Sequence, residues 1–387
     1  MINISDVSGK VFYGEHPAAN VKVSIGVEET RTASDGSFQL KNINFPYNIT
    51  LLDSAGGNVS VFKNLSTGIL NLDLINFNTG YNFVSINFTL PNKLLNDDLH
   101  GKIIFTDGEN VNGYANFNNH SETALYINLP GYIPVTGKII LLTYKINSSG
   151  NIVSFENFGV KENYLLNPEK INYFTFTPEE VATNPGEVTV SGSVINPPAN
   201  DGASAYVLSF SDKSITEISG FNSFGGATGN SFQVTIPTGI SEPFNTLIYK
   251  QYYTGSFSSE LFKVYPDSPN VHYVNVPAVL NTPENQATSV NNATLFSFSE
   301  GSGKGINEVI IKQYNTSIVY RILTTSASFT LGDIDQSGFG SIINNGFIWS
   351  VRKIGVHDSM NEFVTNRLDN AEWFYTFSSD REFFTHP

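Results

Sequence analysis

The chain has 387 residues, 40% hydrophobic and only 14% charged, with 32 Gly, 17 Pro and no Cys. Its 21 Lys and Arg stand against 35 Asp and Glu, a formal net charge of −14. A surface of that sign repels polyanions and argues against nucleic acid or an anionic membrane face as partner, and the missing Cys excludes a disulfide scaffold, thiolate zinc sites and a Cys nucleophile.

At about 100–150 residues per domain the length predicts three or four domains. No apolar run approaches the ~18 residues that mark a bilayer span; Ile139 to Leu142 is typical, and it is strand length. The start, Met1-Ile2-Asn3-Ile4, lacks a charged segment followed by an apolar one. Either the protein is cytosolic or a targeting segment has been removed. Abundant Asn, Ser, Thr, Gly and Phe with few Lys predict the second. The expected location is extracellular or at the outer cell surface, with a lipid anchor as one means of attachment.

Along the chain, residues two apart repeat the same character: Val21, Val23, Ile25; Phe38, Leu40; Val188, Val190; Ile318, Tyr320, Ile322; Phe347, Trp349, Val351. Such residues share one face of a strand, so each set marks a buried face opposite a polar one. Turn chemistry separates the runs, as at Ser34-Asp35-Gly36, Asp107-Gly108, Asn147-Ser148-Ser149-Gly150 and Gly225-Gly226. Helical periodicity is nearly absent. The prediction is all-β, a tandem array of antiparallel, immunoglobulin-like β-sandwiches.

Composition places the boundaries. A first unit covers 1–78 and ends in Asn76-Phe77-Asn78; a second, 79–182, runs through Pro178-Glu179-Glu180. A third, 183–277, opens near Asn184-Pro185-Gly186 and ends at Pro277; the fourth is 278–387. The two middle units read as copies. Val84-Ser85-Ile86-Asn87-Phe88 and Val188-Thr189-Val190-Ser191-Gly192 lie 104 apart, and Tyr144 and Tyr249 lie 105 apart. Tyr126-Ile127-Asn128-Leu129-Pro130 and Val234-Thr235-Ile236-Pro237 both close on Pro. Several matches at nearly one offset predict a tandem duplication with a common strand order.

Residues 8–53 resemble the carboxypeptidase regulatory-like domain, a small transthyretin-like sandwich. The resemblance rests on Ser8-Gly9-Lys10-Val11, Pro17-Ala18-Ala19-Asn20-Val21-Lys22-Val23, Thr32-Ala33-Ser34-Asp35-Gly36-Ser37-Phe38-Gln39-Leu40 and Pro46-Tyr47-Asn48-Ile49-Thr50-Leu51. It implies a noncatalytic module. None of the 6 His is followed three residues on by Glu, so the zinc peptidase that lends the family its name is not implied. The last unit, with Pro277 to Asn285 and Phe347-Ile348-Trp349-Ser350-Val351-Arg352, resembles fibronectin type III and related immunoglobulin-like domains of bacterial surface proteins. A similar order of modules is seen in envelope lipoproteins of Bacteroidota that present glycan-binding domains.

For chemistry the sequence offers little. Gly301-Ser302-Gly303 and Gly338-Phe339-Gly340 have no following helix to make a nucleophile elbow. Asp97-Asp98 and Glu179-Glu180 are adjacent acids, which on a strand point to opposite faces and in loops are solvated. Asp333-Ile334-Asp335-Gln336-Ser337-Gly338 matches the front of a calcium loop, with Asp333, Asp335 and Ser337 as oxygen ligands; the twelfth position is Asn344, not the bidentate Glu. Calcium is the one cofactor considered, against a plain polar loop. Trp349 and Trp373 alternate with apolar neighbours and read as core. Tyr252 and Tyr253, before Thr254-Gly255-Ser256, read as residues at a hairpin tip that contact a partner, or else as an edge pair covering a neighbouring unit.

The sequence thus predicts a non-enzymatic scaffold, adhesion or binding protein with a protein or glycan partner. The rival is a glycan-binding accessory of a polysaccharide-utilisation system, and a third reading is a hydrolase with unrecognised carboxylates. No catalytic residue is assigned, and the oligomeric state stays open.

Overall fold

The computed structural model of the chain describes residues 3–13, 16–53, 58–74, 81–90, 100–107, 112–118, 122–130, 134–148, 152–195, 203–208, 217–224, 231–238, 244–251, 255–266, 268–316, 318–332, 345–366 and 373–385. Strands dominate, and the chain is all-β. The first stretch forms β1 (Asn3–Tyr13), β2 (His16–Pro17), β3 (Lys22–Ile25), β4 (Glu28–Arg31), β5 (Ser37–Phe45), β6 (Tyr47–Asp53), β7 (Asn58–Leu65) and β8 (Ile69–Leu74). The turn into β5 is built as its residues require. Gly36 takes φ +76°, where a Cβ would clash, and Asp35 Oδ1 accepts from Ser37 N at 3.1 Å and Ser37 Oγ at 2.6 Å. Phe38 and Leu40 then enter the core.

Two further sandwiches follow. One comprises β9 (Tyr81–Thr89), β10 (His100–Thr106), β11 (Asn112–Asn118), β12 (Glu122–Pro130), β13 (Val135–Ile146), β14 (Ile152–Leu166), β15 (Asn172–Thr175) and β16 (Val181–Thr183). The next comprises β17 (Glu187–Ile195), β18 (Ala203–Leu208), β19 (Glu217–Phe224), β20 (Ser231–Pro237), β21 (Phe244–Gln251), β22 (Phe257–Val264) and β23 (Asn270–Tyr273). The first has sheets β12-β9-β15 and β11-β10-β13-β14-β16; the second has β20-β17-β23 and β19-β18-β21-β22. Apart from β16, which has no equivalent among the described strands of the second, the orders agree strand for strand, so the two middle units share one topology. The ladders also correct the alignment. Tyr81 pairs Pro130 and Ile86 pairs Asn172, while Glu187 pairs Pro237 and Gly192 pairs Asn270. Equivalent residues of the opening strands therefore lie 106 apart, and Val84 corresponds to Val190 rather than Val188.

These sandwiches are not wholly antiparallel. In each of these three units a late strand meets the opening strand and runs parallel to it: β8 beside β1, β15 beside β9, β23 beside β17. The chain makes a circuit and returns to its first edge in the direction in which it left.

The last stretch forms β24 (Val279–Thr282), β25 (Ala287–Val290), β26 (Leu295–Ser299), β27 (Ile306–Gln313), β28 (Val319–Thr324), β29 (Ser328–Thr330), β30 (Gly346–Gly355), a helix α1 (Met360–Thr365), β31 (Trp373–Phe377) and β32 (Arg381–Thr385). The helix is absent from the sequence-based expectation. Its signals are local: Ser359 Oγ caps the first turn by accepting from Glu362 N at 3.1 Å, and the Glu362 carboxylate accepts from Asp358 N, just before the cap, at 2.8 Å.

The sheets run on across the compositional boundaries. One 14-stranded sheet follows the path β19-β18-β21-β22-β31-β30-β27-β28-β7-β6-β3-β4, with β32 joined to β30 and β25 to β32 off that path. Two pairings make it continuous: β28 lies parallel to β7, with Val319 beside Asn58 and Leu323 beside Phe62, and β22 lies antiparallel to β31. The cores interlock as well. Val59 and Val61 of β7 are buried with Trp349, Phe296 and Phe347, while Ile306, Leu323, Met360 and Val364 are buried in the core of the first stretch. The two middle units touch through a further cluster joining Ile104, Ile140, Leu142 and Phe158 to Val190, Ile236 and Val264.

Candidate binding surface

The residues singled out by sequence for contact, Tyr252 and Tyr253, and for calcium, Asp333, Asp335 and Ser337, lie outside the described residues. Among the described residues no group of three or more His, Cys, Asp or Glu is placed to hold a metal ion. Trp349 is core, as expected: it is fully buried, edge-on to Phe296 at 5.1 Å between ring centroids. Glu180 is tied into its loop, accepting from Thr177 N at 2.9 Å and from Lys161 Nζ at 3.0 Å.

Two buried carboxylates that the sequence reading passed over hold elements together. Glu308 on β27 receives Arg321 of β28 on Oε1 and Arg352 of β30 on Oε2. Arg321 Nη1 goes on to the Asp73 carbonyl at 3.1 Å and to Ser60 Oγ at 3.4 Å, and so reaches β8 and β7. The Arg352 guanidinium lies 4.9 Å from the Tyr375 ring centroid and 5.5 Å from that of Phe377, within cation–π range. Burial alone pushes the Glu308 carboxyl up, but the two guanidiniums outweigh it and hold it below the ordinary range. This is a charged clasp across the seam between β7 and β28.

Glu260 on β22 is the second. Its side chain is 1% exposed. It accepts from Ser258 Oγ at 2.7 Å, from Asn275 N, and from Asn275 Nδ2 at 3.1 Å, and lies 2.7 Å from His272 Nε2. Ser302 Oγ in turn accepts from Val276 N at 2.7 Å and donates to Asn275 Oδ1 at 3.3 Å. The carboxylate anchors the chain as it passes from β23 toward β24.

The surface that carries unspent chemistry is the outer face of β12-β9-β15. Leu125, Ile127 and Leu129 of β12, Val84, Ile86 and Phe88 of β9, and Phe174 of β15 all turn inward to one core. Period two then sends their neighbours out. Tyr126 is 67% exposed and Tyr173 70%. Tyr126 pairs with Ser85 and Tyr173 with Asn87, so the tyrosines flank the central strand on opposite sides with a hydroxyl and an amide between them. Ile171, 70% exposed, stands just before β15. The signal for Tyr126 was legible: it is out of phase with three apolar neighbours in Glu122–Pro130. Tyr173 gave a weaker one, in a strand of four residues.

No family model matches the chain, and no curated protein matches it. Among solved structures, one described as "a putative adhesin from Bacteroides ovatus" is 11% identical, covering 50% of this chain and 88% of that chain with a TM-score of 0.17. A likeness at that level supports no conclusion about this chain. No helix among the described residues is long and apolar enough to cross a membrane.

Proposed function

We propose that the chain is a non-enzymatic scaffold of the outer cell surface that holds a partner through adhesion-type contact and turns nothing over. The observation that supports it is the continuous 14-stranded sheet, in which strands of the first, third and last stretches pair edge to edge. Interlocked cores and buried clasps stiffen such a body, and stiffness favours presenting a surface over closing around a substrate. The resemblance of residues 8–53 to a noncatalytic regulatory-like module, and of the last stretch to fibronectin type III domains, points the same way. The second reading, glycan binding, is favoured by the solvent-facing Tyr126 and Tyr173.

Labelling of intact cells of the organism that makes the chain, with a turnover screen on glycans and peptides, tests the proposal. Labelling of the chain on intact cells and absence of turnover are expected. Turnover lost on replacing a single carboxylate would overturn it.

A further inference from the structure

We infer that the outer face of β12-β9-β15 is a binding platform for a neutral, extended polysaccharide, with Tyr126 and Tyr173 stacking on two sugar rings of one chain; this rests on the binding-scaffold reading above. Geometry comes first. From Tyr126 to Tyr173 is two strands across and two residues along, because their partners Ser85 and Asn87 are two apart on β9. With strands about 4.8 Å apart and a rise of about 3.4 Å per residue, the two Cα positions are about 12 Å apart, the reach of a short oligosaccharide. A pyranose presents C–H bonds on its flat side, which suit the negative face of an aromatic ring. Its rim of hydroxyls suits the Ser85 hydroxyl and the Asn87 amide in between.

Charge selects the class of glycan. The two rows that carry the tyrosines, Tyr126–Ser85 and Ala124–Asn87–Tyr173, contain no charged residue, and the next row brings Glu122 opposite Thr89. On a chain of net charge −14 such a face repels a uronate or sulfated polymer and accepts a neutral one. Size argues against a protein partner. β9 and β12 pair over nine residues and β15 adds four, a face of about 360 Å², against the roughly 800 Å² per partner of a standard protein interface.

The duplicated unit supplies an internal comparison. With the corrected alignment the ladders set Gln233 at the position of Tyr126 and Val271 at that of Tyr173, while inward Ile86-to-Asn172 pairing is matched by Gly192-to-Asn270. Both tyrosines are confined to the first copy, and the scaffold beneath does not require them.

Affinity electrophoresis of the full chain through gels containing xyloglucan, galactomannan, mixed-linkage β-glucan or starch, with alginate as the anionic comparison, tests the inference. Retardation by at least one neutral polymer and not by alginate is expected. Tyr126→Ala and Tyr173→Ala should each weaken it about tenfold, the scale of a contact worth about 1.4 kcal/mol. Tyr126→Phe should keep it, and the melting temperatures should stay together because both side chains are solvent-facing. Retardation that survives both Ala variants overturns the site, and retardation by none of the neutral polymers overturns the ligand class. Either result leaves the scaffold reading standing, whereas hydrolysis of the polymer in the gel would remove that reading too.

Discussion

Asn172 and Asn270 hold the same place in two successive sandwiches and make the same kind of bonds. Asn172 Oδ1 accepts from Asn167 N at 2.9 Å, and its Nδ2 donates to the Asn167 carbonyl at 2.9 Å and the Lys170 carbonyl at 3.0 Å. Asn270 Oδ1 accepts from Tyr265 N at 3.1 Å, and its Nδ2 donates to the Tyr265 carbonyl at 2.8 Å and the Ser191 carbonyl at 2.8 Å. Each side chain bonds back to the residue five positions before it, and both are buried. An amide is the one side chain of this size that offers acceptor and donors together.

Asn172→Asp or Asn270→Asp should therefore destabilise at least as much as replacement by Ala. Aspartate keeps the acceptor but turns a carboxylate toward two carbonyls that have lost their donor. About 1–3 kcal/mol each is expected from stranded buried groups, measured by urea denaturation. Equal stability of the Asp variants would show that the loops stand without these bonds.

The Glu308 clasp predicts a larger effect and a pH signature. Glu308→Ala leaves Arg321 buried beside Arg352 without its anion, at a cost of about 3–5 kcal/mol; Arg321→Met leaves Glu308 with Arg352 and should cost less. Because the folded-state carboxyl is held below its unfolded value, its contribution is fully present above the ordinary carboxylate range. It is lost as the pH falls through the lowered folded value. Denaturation midpoints followed downward from pH 6 should fall less steeply in Glu308→Gln than in the parent chain.

Interlocked cores make stability non-local. Val364 on α1 is fully buried among residues of the first stretch, such as Leu70 and Leu72, so Val364→Ala should lower amide protection in β8 and β6 although it lies about 300 residues away. A loss on the order of 2 kcal/mol is expected for a buried aliphatic truncation. Hydrogen exchange with peptide resolution reads it directly; protection lost only around α1 would deny the shared core.

Gly101 tests a tighter contact. It pairs with Phe117, and a Cβ at Gly101 would overlap that ring. Gly101→Ala should cost about 1–3 kcal/mol as overpacking, and Phe117→Leu combined with it should recover part of the loss, as a thermal double-mutant cycle would register.

Much of this architecture is written as alternation. Val21, Val23 and Ile25, or Phe347, Trp349 and Val351, are buried as period two requires. The same period hid the register that relates the two middle units, because a slip of two residues preserves every inward face; only the ladders separate Val188 from Val190. The union of the first and last stretches was legible only in part. Val59-Ser60-Val61-Phe62 and Val319-Tyr320-Arg321-Ile322-Leu323 are buried without alternation, the mark of a strand covered on both faces, yet nothing in either run names its partner. Tyr126 could be read from its phase. Arg321 sits in so apolar a run that only its partner, Glu308, explains it.

The parallel seam between β7 and β28 also sets a timetable. Asn58–Leu65 leaves the ribosome well before Val319–Thr324, with the whole of the two middle units made in between. Until then one edge of the nascent first module offers open backbone donors and acceptors, with Val59 and Val61 uncovered, the kind of surface that recruits stray strands. Chains cut before residue 319 should therefore clump, and cellular holdases should favour that interval of synthesis. The strand that stiffens this seam is made long after the one it completes.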